Sequence, residues 1–391
     1  MPPDTRPTLP QELVDLILDF TDNTTLKACS RVARSFLYTS QMHIFSEIKL
    51  LPSQWFDFGK NSMTLPRFSR ILSRSPHIAL YVRSLTVVEG DGVISIPWIR
   101  KDVLPAVLSM LVNLKGFSMQ SPRLLDWVSL PMTLKNSLQV IHGSSLARIQ
   151  LHKIRFDRSG GLISLLLGCR NLKSIKFQSV VVTTIDAQDP RIPDEHRLHL
   201  DSLELEPSLP LVHSLLTSVD LRSLQHLYVF VSAPVSEPET QRILDGVETL
   251  VHCHLRLSHH HTDTSLIDIH KLRHLRTLEL SMYFDFEYAP DGYDPVEWAS
   301  NILDSVDKSN QIQTVTLNLN IEEFDPPYLG RLADLERFLV RPEMASLRTV
   351  KVNLDSYSVD FNIYGGGREI REAFPILIER QMLEIELLGV T

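Results

Sequence analysis

LQHLYV (224–229) and LRTLEL (275–280) are two copies of one six-residue pattern, apolar-x-x-apolar-x-apolar. The same pattern runs as VRSLTV (82–87), LKGFSM (114–119), LARIQL (146–151), LKSIKF (172–177), LDSLEL (200–205), IQTVTL (312–317), LRTVKV (347–352) and MLEIEL (382–387). A degraded copy, HCHLRL (252–257), fills the gap between 229 and 275. With the fourth residue as the mark, the marks fall at 85, 117, 149, 175, 203, 227, 255, 278, 315, 350 and 385. The mean step is 30 residues, with single steps from 23 to 37. Side chains two apart point the same way from a strand, so each copy reads as a short strand with one buried face.

Helix-like stretches lie between most of these strands: DVLPAVLSML (102–111), GLISLLLG (161–168), PVEWASNILDSV (295–306) and REIREAFPILIER (368–380). A unit with one apolar strand face and one apolar helix face cannot bury either alone, and stacking such units makes a continuous core. A strand and a helix repeated at this spacing resemble the leucine-rich repeat family over roughly residues 80–390. That resemblance implies an α/β solenoid of about eleven strand units over 81–391, with parallel strands on the concave face and helices outside. The family's ladder Asn, five residues after the mark, is present here only as Asn320.

Ahead of the repeats, Thr8-Leu9-Pro10 reads as a helix start, with Pro10 suited to the first turn. Leu13, Leu16, Ile17 and Phe20 then recur at helical spacing, with Glu12, Asp15 and Asp19 between them. TDNTT (21–25) breaks the pattern and offers caps for a second helix carrying Leu26, Cys29 and Val32. A third segment starts near Arg34, with Phe36 and Leu37 inward, and runs toward Phe45. Three short helices cannot hide this many apolar residues from water by themselves. The surplus must be covered by the following domain or by another protein.

The order Leu9, Pro10, Glu12, Leu13, Ile17, Leu26, Val32, Arg34, Phe36 resembles the F-box, with Phe36 where that family usually prefers Trp. ACSRVARSF (28–36) and SPHIALYVRSL (75–85) are similar to segments of the large fungal F-box set. The resemblance implies that residues 8–48 dock on a Skp-type adaptor, which in turn holds a cullin. Leu9, Pro10, Leu13, Ile17, Leu26, Val32 and Phe36 occupy the matching docking positions. The chain is then expected to be a non-catalytic substrate-recognition adaptor of an SCF-type cullin–RING ubiquitin ligase, without a cofactor. If the same residues packed inward, the helices would instead be a cap on the repeats, and the chain an interaction scaffold outside any ligase. Residues 49–80, with Pro52, Pro66, Pro76, Trp55, Phe56 and Phe58, read as a connecting segment that welds the two parts; a floppy linker is rich in Gly and Ser.

Strand alternation also assigns an open face. If the mark and the residue two after it point inward, then Arg148, Gln150, His152; Ser174, Lys176, Gln178; Ser202, Glu204, Glu206; His226, Tyr228, Phe230; and His254, Arg256, Ser258 point outward. Aromatic and Arg side chains concentrate at binding hot spots. The candidate substrate-binding set is therefore Arg148, Gln150, Lys176, Glu204, His226, Tyr228, Phe230, His254 and Arg256. The alternative for Tyr228 and Phe230 is packing under a loop. FDFEYAPDGYDP (284–295) reads as an exposed insertion and a second candidate contact.

The 391 residues are 43% apolar and 22% charged, ordinary for a folded protein. A net charge of −8 offers no footprint for nucleic acid. Cys29, Cys169 and Cys253, odd in number and far apart, fit a reducing compartment, cytosol or nucleus. No stretch of 18 apolar residues or signal peptide is read, so no membrane is expected. VHCHLRLSHHH (251–261) invites a metal, but alternation puts Cys253 opposite His252 and His254, and no metal site is assigned. Gly365-Gly366-Gly367 reads as a turn before a helix, not a phosphate cradle. No GxSxG, HExxH or paired CxxC nominates catalytic groups; an enzyme would need a pocket of convergent polar groups.

Overall fold

The computed structural model describes residues 10–52, 62–90, 103–141, 145–187, 189, 192–232, 236–258, 267–284, 294–321, 330–356 and 366–388. Leu9, Trp55, Phe56, Phe58 and His259–His261 lie outside them.

Three short helices open the chain: α1 (Gln11–Asp19), α2 (Asn23–Val32) and α3 (Arg34–Ser46). Pro10 stands at the cap of α1, one residue earlier than the first-turn slot expected, and its carbonyl accepts from the amides of Leu13 and Val14. The Asp22 carboxylate caps α2, accepting from the amides of Thr24 and Thr25. Ala33 is extended and separates α2 from α3.

The chain divides into two compact units: Met1–Asp157 with Ser164–Leu172, and Arg158–Ile163 with Lys173–Thr391. In the first, β1 (Glu47–Leu51), β2 (Ser62–Thr64), β3 (Ser84–Val88), β4 (Gly116–Asp126) and β5 (Arg148–Arg158) pair in parallel in the order β2-β1-β3-β4-β5. In the second, the main strands are β6 (Ser174–Gln178), β9 (Ser202–Leu205), β11 (His226–Val231), β12 (His252–Leu257), β13 (Thr277–Phe284), β14 (Thr314–Ile321), β15 (Thr349–Ser356) and β16 (Leu383–Leu388). They pair in parallel in sequence order. β7 (Val181–Thr184), β8 (Leu198–His199) and β10 (Val219–Asp220) are short, and β8 pairs with β10. The fold class is α/β with a large parallel sheet.

In β3 to β6, β9 and β11 to β15 three positions of the repeat are buried: the mark, the residue two after it, and the residue three before it. Leu224, Leu227 and Val229 illustrate this in β11; Leu275, Leu278 and Leu280 do so in β13. Backbone bonds repeat as well. Within each unit the carbonyl two residues before most marks accepts two successive amides of the next repeat. Asp201 takes Gln225 and His226, Gln225 takes Val251 and His252, Val251 takes Arg276 and Thr277, and Arg276 takes Gln313 and Thr314. At these places one carbonyl with two lone pairs takes two donors and fastens the strand to its neighbour.

Two marks require correction. β12 pairs Cys253, not Leu255, with Leu227 and Leu278, so the copy is LVHCHL (250–255). β16 pairs Leu383, not Ile385, with Val350. The pattern also begins earlier than residue 80. FSEIKL (45–50) lies across the end of α3 and β1, and Ile48 pairs with Leu85.

Helices fill the intervals. Pro295–Asp304 is capped by the Asp294 carboxylate and buries Trp298, Ala299, Ile302 and Leu303. The single helix expected over 368–380 is two, Gly366–Ala373 and Pro375–Glu379, because Pro375 has no N–H to continue the first. Gly366 and Gly367 open that helix rather than forming a turn before it.

Candidate functional site

Helix α1 is apolar on two faces. Val14 and Leu18 point inward and, with Leu26 of α2, form a small core against which Cys29, Phe36 and Ile44 pack. The longer stripe points out: Leu13 is 47% exposed, Leu16 52%, Ile17 58% and Phe20 86%. Val32 is 75% exposed, and Leu37, expected inward, is exposed too. Of the seven expected docking residues, Pro10, Leu13, Ile17 and Val32 lie on the surface, Phe36 is half-buried and Leu26 is buried. Leu9 is outside the described residues. Leu16 and Phe20 extend the exposed stripe.

Polar contacts hold the three helices in place. The Asp15 carboxylate accepts from Thr39 Oγ1 at 2.6 Å and from Gln11 Nε2 at 2.8 Å, and these bonds hold its pKa below the usual carboxylate value. Gln11 Nε2 also donates to the Ser35 carbonyl, and His43 Nε2 lies 2.9 Å from Asp19. α3 runs into β1 with no spacer: Ser46 ends one and Glu47 begins the other. Arg83 N–H donates to the Ser46 carbonyl, and Tyr38 meets Tyr81 edge-on at 5.4 Å. The segment 49–80 contains most of β1, all of β2 and the helix Leu65–Arg74.

The face of the sheet opposite the marks carries the expected binding residues. Arg148 is exposed and Gln150 half-buried, both on β5 of the first unit. The others sit on the second unit. There Lys176 pairs with Glu204 at 2.8 Å, and Glu204 also accepts from Gln178. The corrected register moves the β12 lane by two residues. His226 stands beside His252, Tyr228 beside His254 and Phe230 beside Arg256. Ser258, expected in this lane, is buried.

Arg256 is the centre of this face. Its guanidinium carbon lies 5.4 Å from the Phe230 ring centroid and 5.2 Å from that of Tyr283. One Nη donates to Tyr228 Oη at 3.4 Å. Around it opens a recess of about 460 Å³ lined by Tyr228, His254, Arg256, Ser281, Tyr283, Asn318, Leu319, Asn320, Asn353 and Asp355. Tyr228 and Phe230 thus contribute to a polar recess and a cation–π contact. Ser281, Tyr283 and Glu279 were missed at the sequence level. The lane rule, applied one strand further to the mark Leu278, identifies Glu279 and Ser281, and one more step of the same alternation reaches Tyr283.

A directed hydrogen-bond chain crosses the recess. Asn353 Nδ2 donates to Asn318 Oδ1 at 2.8 Å, and Asn318 Nδ2 donates to Ser281 Oγ at 3.0 Å. Ser281 Oγ lies 2.7 Å from His254 Nε2, and His254 Nδ1 lies 3.3 Å from Glu279 Oε2. Burial pushes the His254 pKa down to about 4, helped by the charges of His252 and Arg256. At neutral pH the ring is uncharged. Its Nδ1 faces Glu279 Oε2 at 3.3 Å, and its Nε2 is bonded to Ser281 Oγ.

Cys253 is fully buried on the side opposite His252 and His254. Among the described residues no three His, Cys, Asp or Glu side chains are grouped to hold a metal ion. No helix among them is long and apolar enough to cross a membrane. Of the aromatic insertion, Phe284 is buried at the end of β13 rather than exposed, and residues 285–293 lie outside the described set.

No protein-family model matches the chain, and no curated protein matches it. The functional reading rests on the residues themselves.

Proposed function

We propose that this chain is a substrate-recognition adaptor of an SCF-type cullin–RING ubiquitin ligase. The F-box-like helices α1–α3 bind a Skp-type adaptor, and the open face of a leucine-rich-repeat-like body binds a protein substrate. The observation that carries this reading is the outward stripe Leu13, Leu16, Ile17 and Phe20 on a helix whose other face already makes the headpiece core. Fully burying a Leu, Ile or Phe side chain contributes about 1.5–3 kcal/mol. A stripe of four is enough to anchor a stable partner. The chain supplies position, not bond-making.

The test is co-purification of the full chain with a Skp-type adaptor and cullin. Leu13→Asp with Ile17→Asp is expected to weaken adaptor capture at least 100-fold without lowering the melting temperature. Full capture by that double variant overturns the assigned docking face. Capture of neither adaptor nor cullin by the wild-type chain favours a scaffold outside any ligase.

A second reading has its own observation. Ser281 Oγ is bonded to His254 Nε2 and His254 Nδ1 lies 3.3 Å from Glu279, the order used by Ser–His–acid hydrolases, and Ser281 and His254 line a recess with convergent polar groups. Against it, Ser281 is buried and its hydroxyl already accepts from Asn318. A fluorophosphonate reagent decides. Attack by Ser281 Oγ would form an O–P bond, expel fluoride and pass the hydroxyl proton to His254. The adaptor reading expects no label on Ser281. Labelling that disappears in His254→Ala selects the hydrolase.

A further inference from the structure

We infer that the Arg256 recess anchors a single carboxylate of the bound protein. This rests on the reading that the sheet face holds a protein substrate, and it names the chemistry by which that face selects.

The argument starts from charge. With His254 neutral, Arg256 is the one full positive charge lining the recess among the described residues, and Asp355 is the negative charge on its wall. The other polar groups are neutral: Tyr228, Ser281 and the amides of Asn318, Asn320 and Asn353. Among the described residues Arg256 makes no ion pair. Its Nε is buried without an acceptor, and its polar contact is the long Tyr228 bond. A partly desolvated cation that makes no ion pair is unfavourable, and an incoming anion relieves it.

Geometry narrows the anion. Phe230 and Tyr283 hold the guanidinium plane in place, so little rotational freedom remains to be lost on binding. A fixed guanidinium presents its Nη hydrogens as a planar set, which fits the two oxygens of a carboxylate. A phosphate fits the same donors but brings nearly two charges. With one cation and Asp355 on the wall, the second charge is opposed rather than met. A monoanionic carboxylate is favoured, from an Asp or Glu side chain or from a chain end.

The experiment uses the full chain and three pools of immobilised random peptides. The first carries one internal Glu and an amidated end. The second has a free terminal carboxylate and no acidic side chain. The third carries one phosphoserine and an amidated end. Wild-type chain is expected to bind at least one carboxylate pool ten-fold above its Gln-containing or amidated match, and above the phosphoserine pool. The pool that binds tells a side-chain carboxylate from a terminal one. Arg256→Gln is expected to reduce that capture at least 30-fold, and Arg256→Lys, which keeps charge but not the planar donor set, at least five-fold. Asp355→Asn is expected to raise phosphoserine capture relative to carboxylate at least five-fold. If Arg256→Gln fails to fold, the Lys and Asp355 variants carry the test. Preference for phosphoserine, equal capture by wild type and the Arg256 variants, or no pool above its neutral match overturns the anchor. Adaptor co-purification is read separately, so failure of the ligase reading is distinguishable from failure of the anchor.

Discussion

Burial pushes the thiols of Cys169 and Cys253 up to about 12, so at pH 8 almost no thiolate forms at either. Cys29, on the half-buried side of α2, is the accessible one. Native alkylation followed by mass spectrometry is expected to modify Cys29 first and the other two only after unfolding. In the headpiece, Leu26→Ala empties a buried site and is expected to lower stability by about 2–5 kcal/mol. Leu13→Ala, at the surface, is expected to change it by less than about 1 kcal/mol; thermal melts of both variants check the pair. His254 supplies a pH test. Its folded pKa is depressed from the ordinary 6.5 to about 4, so the unfolded chain binds the proton more readily. The associated stability is complete above about pH 6.5 and is lost as pH falls toward 4, up to about 3 kcal/mol. His254→Gln should flatten that part of the acid limb in denaturant titrations. The sequence shows α1 to be apolar at Leu13, Leu16, Ile17 and Phe20 but not which way those residues face. Counting periodicity finds the widest stripe, and here the widest stripe is the exposed one while Val14 and Leu18 make the core.

At the level of strands, spacing was legible and exact register was not. HCHLRL (252–257) alternates three times, so two placements two residues apart bury the same face. Leu250, buried at the turn before the strand, decides between them and makes Cys253 the mark. The consequence reaches the binding face, because it sets Arg256 beside Phe230 rather than beside Tyr228. Cys253→Ser is expected to cost about 1–3 kcal/mol by burying a hydroxyl among apolar neighbours, whereas His226→Ser on the open face should be nearly neutral. Leu250→Ala, expected to cost about 2–5 kcal/mol while His252→Ala stays nearly neutral in chemical denaturation, distinguishes this register from one centred on Leu255, which places His252 three before the mark. β1 escaped the pattern search because the first apolar residue of its copy, Phe45, belongs to α3. Its signal is nonetheless complete in FSEIKL. The recess was only half legible: its β11 and β12 walls follow from alternation, but Ser281, Tyr283 and Asn353 come from strands whose outward residues look bland in isolation.

For the whole chain, repeats that bond mainly to their neighbours localise damage. Hydrogen exchange on Leu26→Ala is expected to show lost protection in α2 and α3 while amides of β14 keep theirs; loss throughout would mean that the chain unfolds as one cooperative block. The direct passage from Ser46 to Glu47 has a practical corollary. A cut at that junction takes away the residue whose carbonyl receives the Arg83 amide and exposes the start of the first strand. Chimaeras that exchange the three opening helices should therefore be spliced after Thr64, carrying β1 and β2 along, because β2 pairs with β1 on the side away from β3 and the graft then keeps that pair intact.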